Sequence, residues 1–210
     1  MNLEQNRSKI KKNKLFILIG KSSTGKDTVY KKLLEYSELN LKEVVGYTTR
    51  PIRDGETDGV EYHFIKDKDN FFANNTKGHI IETRHYATEH GDWCYMTIDD
   101  GQFDFKTNHL MIGTLESYEK IRDYFGPENV YPIYIEVDDG IRLQRALNRE
   151  RNQENPKYEE MCRRFLADAK DFSEYNLNRL GIKDRFVNND INECTNQIAN
   201  KIVLCTNSLK

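Results

Sequence analysis

The sequence predicts an α/β protein: a three-layer sandwich with a central parallel sheet, helices on both faces and a strand-rich lobe inserted in the middle. Three observations carry this. Apolar runs of buried-strand type (Leu15-Phe16-Ile17-Leu18-Ile19, His109-Leu110-Met111-Ile112-Gly113 and Val130 to Val137) alternate with amphipathic helical segments. The first run opens directly into Gly20-Lys21-Ser22-Ser23-Thr24-Gly25-Lys26-Asp27-Thr28, the glycine and lysine spacing of a phosphate-binding loop. The middle third breaks the rhythm with short alternating strands, which places it as a lobe over that loop.

In the loop, Gly20 and Gly25 free the backbone to curl so that successive N–H groups converge on phosphate oxygens. A helix beginning near Gly25 adds its dipole, and Lys26 reaches the outer phosphates. Val29, Leu33, Leu34 and Tyr36 give that helix its apolar spacing. Asp27 stands where such loops usually carry Ser or Thr, with Thr28 after it.

The next elements are shorter. Val44 to Tyr47 reads as a strand running into the polar loop Thr48 to Gly59. Val60, Tyr62 and Phe64 alternate onto one strand face. Lys68 to Lys77 reads as a short helix with Phe71 and Phe72 inward, and His79 to Glu82 as a strand ending on a carboxylate. His85 to Trp93 is polar and turn-like, and Tyr95-Met96-Thr97 returns to extended chain. Leu115 to Phe125 is a helix closed by Gly126-Pro127. A helix from about Gly140 to Arg149, burying Ile141 and Leu147, gives way to the charged stretch Glu150 to Lys157. A long helix from about Tyr158 to Tyr175, a short strand and turn over Asp184 to Asp190, and a terminal helix from Ile191 to Leu204 complete the chain.

Composition sets the outer limits. At 210 residues with a net charge of −2, the chain carries no global basic field for nucleic acid. With 31% charged residues it has no apolar run of membrane-spanning length, so neither a membrane nor a nucleic-acid partner is expected. Residues 1–13 are basic, lack the apolar core of a signal peptide and read as a solvated tail. The four cysteines show no metal-ligand spacing and fit a reduced cytoplasm. The five histidines suggest neither a metal site nor a nucleophilic triad; His85 and His90 fall in the polar loop.

Three charged constellations stand out. Arg50 and Arg53, beside Thr48 and Thr49, could grip a phosphate dianion by bidentate bonds, with the Tyr62 phenol completing the grip. Glu82 could accept from a guanine's ring N–H and exocyclic amine, a donor pair adenine lacks. Arg142, Arg145 and Arg149 share a helical face, with Arg151, Arg163 and Arg164 following, and arginines closing over a transferring phosphoryl group are what that chemistry requires.

Together the phosphate loop, YTTRPIRDGETDGVEYHF, the IIE strand end, the arginine-bearing stretch and the closing VNND resemble a guanylate kinase over most of Lys14 to Leu204. The resemblance implies a P-loop core, an inserted nucleotide-monophosphate lobe and a lid, with the γ-phosphoryl of ATP passing to GMP or dGMP and Mg2+ bridging the ATP phosphates. By motif it puts ATP on Gly20, Ser22, Ser23, Thr24, Gly25, Lys26, Asp27 and Thr28, with Asn188 near the adenine. Asp27 stands in place of the family's hydroxyl residue; its carboxylate could hold Mg2+ through water, or repel the nucleotide where Mg2+ is absent. Arg50, Arg53 and Tyr62 take the GMP phosphate, Glu82 the guanine, and Tyr95 and Thr97 stand for the family's Tyr-Gly-Ser/Thr segment. Lys26, Arg145, Arg151 and Arg164 are implied nearest the transferred group, with Arg149 as the alternative to Arg151. The implied single domain, residues 14–207, divides into a core (14–47, 108–148 and 164–207), a lobe of about 48–100 and a lid of about 149–163.

Four residues or segments depart from the family pattern: Asp27; Gly46 in place of a serine; the longer 83–97 loop; and Thr114-Leu115-Glu116 where the family carries aspartates. Two relatives remain open beside the kinase reading. One is a small-molecule kinase such as a ribose 1,5-bisphosphate phosphokinase; the other is a catalytically silent binding module.

Overall fold

Leu15–Ile19 forms β1, and none of its five side chains is exposed. Its neighbours explain why. In the computed structural model, which describes residues 13–53, 55–74, 78–88 and 91–207, β1 is the middle strand of a five-stranded sheet. The other strands are β2 (Leu41–Glu43), β7 (Asn108–Ile112), β8 (Val130–Glu136) and β9 (Arg185–Val187), in the order β2-β7-β1-β8-β9, all parallel. The two-residue period of the strand sends Leu15, Ile17 and Ile19 into one apolar cluster and Phe16 and Leu18 into another. The first cluster is completed by α3 (Leu115–Phe125) and α6 (Glu174–Arg179). The second is completed by α1 (Lys26–Leu34) and α7 (Ile191–Thr206). A strand buried on both faces has to be apolar throughout, as LFILI is.

The chain leaves β1 toward β2 on one side and crosses through α3 to β8 on the other. That reversal opens a crevice beyond the carboxyl end of β1, the usual ligand position in such sheets. The Gly20–Gly25 loop fills it.

Between β2 and β7 lies a second sheet of four strands: β3 (Tyr47–Thr48), β4 (His63–Phe64), β5 (His79–Thr88) and β6 (Gly91–Asp99), in the order β4-β3-β6-β5. With α2 (Lys68–Asn74) it encloses a small core of Cys94, Met96 and Ile98. On the far side of β8, α4 (Asp139–Arg151) and α5 (Tyr158–Asp171) flank a short connection. The buried Glu150 carboxylate accepts from the Lys157 N–H at 3.1 Å and ties that connection down.

Several local expectations are corrected. His85 to Thr88 and Gly91 to Trp93 are paired strands, because Arg84, His85 and Tyr86 pair across with Tyr95, Cys94 and Trp93, and such pairs sustain strands that alternation does not reveal. Val60 lies in a turn, 59% exposed, so only His63–Phe64 pair as a strand. Phe72 and Ile141 are exposed where burial was expected. The predicted 158–175 helix is two helices, broken where Ser173 caps α6 through the Asn176 N–H. The basic tail, apart from Asn13, and His90 lie outside the described residues. Among the described residues no helix is long and apolar enough to cross a membrane.

Candidate active site

The phosphate loop is held by close contacts that dictate its composition. A Cβ on Gly20 would sit 2.5 Å from the Ile135 carbonyl oxygen, so the loop can start against β8 only with glycine. Gly25 has φ +85°, and a Cβ there would meet the Asn188 amide nitrogen at 2.7 Å. Between them Ser23 adopts φ 63°, a left-handed conformation that costs a non-glycine residue about 1–2 kcal/mol. Its hydroxyl is buried without a hydrogen-bond partner among the described residues. The Thr24 hydroxyl donates to the Lys21 carbonyl at 2.9 Å, which closes the curl.

Lys26, the first residue of α1, turns its ammonium back into the loop. It donates to the Gly20 carbonyl at 2.6 Å and the Lys21 carbonyl at 2.9 Å. Burial pushes this ammonium down to about 8, while Asp27 and Asp168 pull it upward. Asp27 and Thr28 are exposed on the first turn of α1. Among the described residues no three imidazole, thiol or carboxylate groups converge as a metal site. One exposed carboxylate beside a phosphate loop does fit Mg2+, which draws most of its ligands from nucleotide phosphates and water.

A brace behind the loop escaped the sequence reading. Arg142 on α4 is 1% exposed; its Nε donates to the Ser22 carbonyl at 2.9 Å and its Nη2 to Asp168 on α5 at 2.9 Å. Its Nη1 pairs with Asp139, and Lys21 meets the same carboxylate at 3.1 Å. Asp168 in turn accepts from the Ser22 N–H at 2.7 Å. Arg142 was grouped with Arg145 and Arg149 on one helical face, but its guanidinium is consumed in this network. Asp168 lies 146 residues from Ser22, so no local pattern could announce the bond.

The other predicted groups on this side are spread along the crevice. Asn188 is buried and donates to the Thr24 carbonyl at 2.8 Å, bracing the loop. Arg145 donates to the Asn188 carbonyl at 3.1 Å. Arg149 and Arg164 line one narrow space with Ser22, Ser23, Met161 and Phe165, whereas Arg151 is exposed outside it. Arg163 and Arg164 both pair with Glu160 at 2.6 Å, which pushes that carboxyl down to about 2.

The four-stranded lobe carries the second cluster. Arg50 is 3% exposed, forked onto Glu56 by two bonds of 2.9 Å, and stacked against Tyr62 and Phe64 at 5.6 and 5.3 Å. Its Nε has no hydrogen-bond partner among the described residues. The pair with Arg50 holds the Glu56 carboxyl below the usual carboxylate range. Arg53 is exposed, and its N–H donates to Glu56 at 2.9 Å. Tyr62, half-buried, packs edge-on to Tyr95 at 5.5 Å, and burial raises its phenol above the ordinary range.

Glu82 is buried and accepts from the Thr97 hydroxyl at 2.8 Å. It also pairs with Arg84 at 3.0 Å, a residue the sequence reading passed over. The available signal was the two-residue strand period, which puts residues 82 and 84 on one face. Of the departures, Thr114 caps α3 in a reciprocal box with Ser117, and Glu116 pairs with Lys120 on the surface at 2.7 Å.

The guanylate kinase family model matches residues 12–203. The chain is similar to the guanylate kinase of Helicobacter hepaticus, 31% identical over 117 residues, covering 55% of this chain and 56% of the relative. It is similar to that of Malacoplasma penetrans at 26% over 174 residues, covering 80% of this chain and 85% of the relative. A third, from Oceanobacillus iheyensis, is 39% identical over 92 residues and is matched over 44% of its length. The match thus spans about half the length of the first and third of these relatives. In three dimensions the chain resembles the guanylate kinase of Anaplasma phagocytophilum, with a TM-score of 0.64 at 21% identity over 94% of this chain and 88% of that one.

Proposed function

The chain belongs to the guanylate kinase family, and on that premise we propose that it transfers the γ-phosphoryl group of ATP to GMP, yielding ADP and GDP. The observation that supports this most is the pairing of two sites of opposite chemistry. A backbone phosphate loop sits at the end of β1, and the inserted lobe buries a cation, Arg50, with a carboxylate acceptor, Glu82.

The roles follow from what each group can donate or accept. Gly20 to Thr28 hold the ATP phosphates by loop N–H groups and the Lys26 ammonium, which exchanges its bonds to the Gly20 and Lys21 carbonyls for phosphate oxygens. Arg50, Arg53 and Tyr62 hold the GMP phosphate, and the unpartnered Arg50 Nε is a donor available to it. Glu82 and Thr97 face the guanine, with Tyr95 beside them. The GMP phosphate is already an anionic nucleophile, so no protein base is required; alignment and charge neutralisation carry the rate. Arg145, Arg149 and Arg164 supply that neutralisation, and the crevice lining favours Arg149 over Arg151. Asp27 would hold Mg2+ through water, and the ion would neutralise charge between the β- and γ-phosphates.

A coupled ATP-to-ADP assay with Mg2+, offering GMP, dGMP, AMP, UMP and ribose 1,5-bisphosphate in parallel, tests this reading. Turnover with GMP above all other acceptors is expected. No turnover with either guanine nucleotide would sink it.

A further inference from the structure

The Glu82 carboxylate, 3% exposed, is already occupied on three sides. Its Oε1 accepts from the Thr97 hydroxyl at 2.8 Å and from Arg84 Nη2 at 3.3 Å, and its Oε2 accepts from Arg84 Nε at 3.0 Å. A carboxylate has about four acceptor positions, so one remains. Two donors side by side, such as a guanine's ring N–H and 2-amino group, need both oxygens on the edge that the Arg84 fork now holds. A guanine and the Arg84 fork therefore cannot occupy Glu82 together without a shift.

The surroundings say where the arginine goes. Glu82 pairs across the hairpin with Thr97 and Arg84 with Tyr95, so the four residues form one patch on one face. The Arg84 guanidinium lies 6.0 Å from the Tyr95 ring, which itself packs edge-on to Tyr62 and Tyr86 at 5.5 Å. The Arg84 Nη1 makes no hydrogen bond among the described residues. Guanine presents, next to its two donors, a 6-carbonyl acceptor.

We propose that Arg84 is a specificity-determining residue of the acceptor site: with Glu82 it forms an acceptor–acceptor–donor edge that reads the two donors and the 6-carbonyl of guanine together. The inference rests on GMP being the acceptor. Arg84 neutralises the buried carboxylate, which would otherwise stand without a cation. An entering guanine exchanges with the fork at Glu82, and the guanidinium turns Nη1 onto the carbonyl oxygen. Adenine, an acceptor at N1 and a donor at position 6, meets a like group at both points and offers only a C–H at position 2.

The test is the ratio of kcat/KM values for GMP, 6-thio-GMP and IMP in the wild type, Arg84→Met, Arg84→Lys and Glu82→Gln. 6-thio-GMP keeps both donors and replaces the carbonyl oxygen by weakly accepting sulfur; IMP keeps the carbonyl and lacks the 2-amino donor. The wild type is expected to favour GMP over each by about tenfold or more, the worth of one charge-assisted hydrogen bond. Arg84→Met should bring the GMP to 6-thio-GMP ratio to within about threefold of unity while the GMP to IMP ratio persists, and Glu82→Gln should do the reverse. If Arg84→Met does not fold, Arg84→Lys, which keeps the charge beside Glu82 without the fork, should still lower the first ratio.

A wild type indifferent to the sulfur overturns the proposal. So does a first ratio unmoved by substitution at Arg84, or two ratios that fall in parallel. Loss of all GMP turnover in the wild type would instead overturn the acceptor assignment on which the proposal stands.

Discussion

At the phosphate loop, the groups that would meet ATP are backbone N–H groups and one ammonium, set on a strand with no exposed side chain between two large apolar clusters. In the lobe, the groups that would meet GMP are long charged side chains, carried on strands of two to ten residues around a core of three fully buried apolar residues. The donor side is shaped by packing on the central sheet, with the Arg142 network behind the loop. The acceptor side cannot rely on packing, so each buried charge is matched by an opposite one from the lobe itself: Arg50 by Glu56, Glu82 by Arg84. Removing a group at the loop should therefore abolish chemistry with little effect on folding, whereas removing one in the lobe should disturb folding and acceptor binding together.

The largest expected effect tests the loop. Lys26→Ala should lower turnover by about 10³ or more, the scale of losing a cation on a transferring phosphoryl group. The unfolding midpoint should hold or rise, since the ammonium bonds only to loop carbonyls and its burial is itself destabilising. Turnover within tenfold of wild type would mean that this loop does not hold the donor.

The lobe is tested next by Glu56→Ala, which leaves Arg50 buried without its carboxylate. Breaking a buried pair costs about 3 kcal/mol, so the unfolding midpoint should fall by several degrees and the KM for GMP should rise, with the KM for ATP unchanged. A parallel rise in both KM values would erase the distinction between the halves.

The pH dependence sharpens the comparison further. Burial brings Lys26 from 10.5 to about 8 in the ligand-free protein. Between those values the unfolded chain holds more protons than the folded one, so this group's destabilising burial fades as pH rises. For donor binding the sign is opposite, because the neutral amine attracts phosphate less. The KM for ATP should climb above pH 8, and Lys26→Arg should remove the inflection; a flat profile from pH 7 to 9.5 would show that the ammonium stays charged.

The smallest effect is Ser23→Gly. Relieving the left-handed serine and its unpartnered hydroxyl should stabilise the protein by about 1 kcal/mol, seen as a rise of a few degrees in the unfolding midpoint. No rise would mean that the serine's strain is offset by a contact of its own.

Much of this architecture was legible because it is local. LFILI followed by Gly20 to Lys26 states a buried strand, a glycine turn and a helix start within a dozen residues, and Gly126 closes α3 where the sequence put it. Less legible were elements whose partners are distant or whose pattern is polar. The β5–β6 hairpin depends on cross-strand pairs such as Tyr86 with Trp93, and its charges disguised it as a loop. Arg142 shares its helical spacing with Arg145 and Arg149, yet it is the buried hub between Ser22, Asp139 and Asp168.

By itself the sequence determined the sheet's central strand, the phosphate loop and the list of charged residues from which an acceptor site could be drawn. Those follow from periodicity and from the backbone freedom of two glycines, which act over a few residues. The partner of each charge was decided only by the tertiary structure. Electrostatic pairing in a buried site depends on distance in space, which brought Asp168 to the loop and left Arg84, two residues from Glu82, across the edge that would read a base.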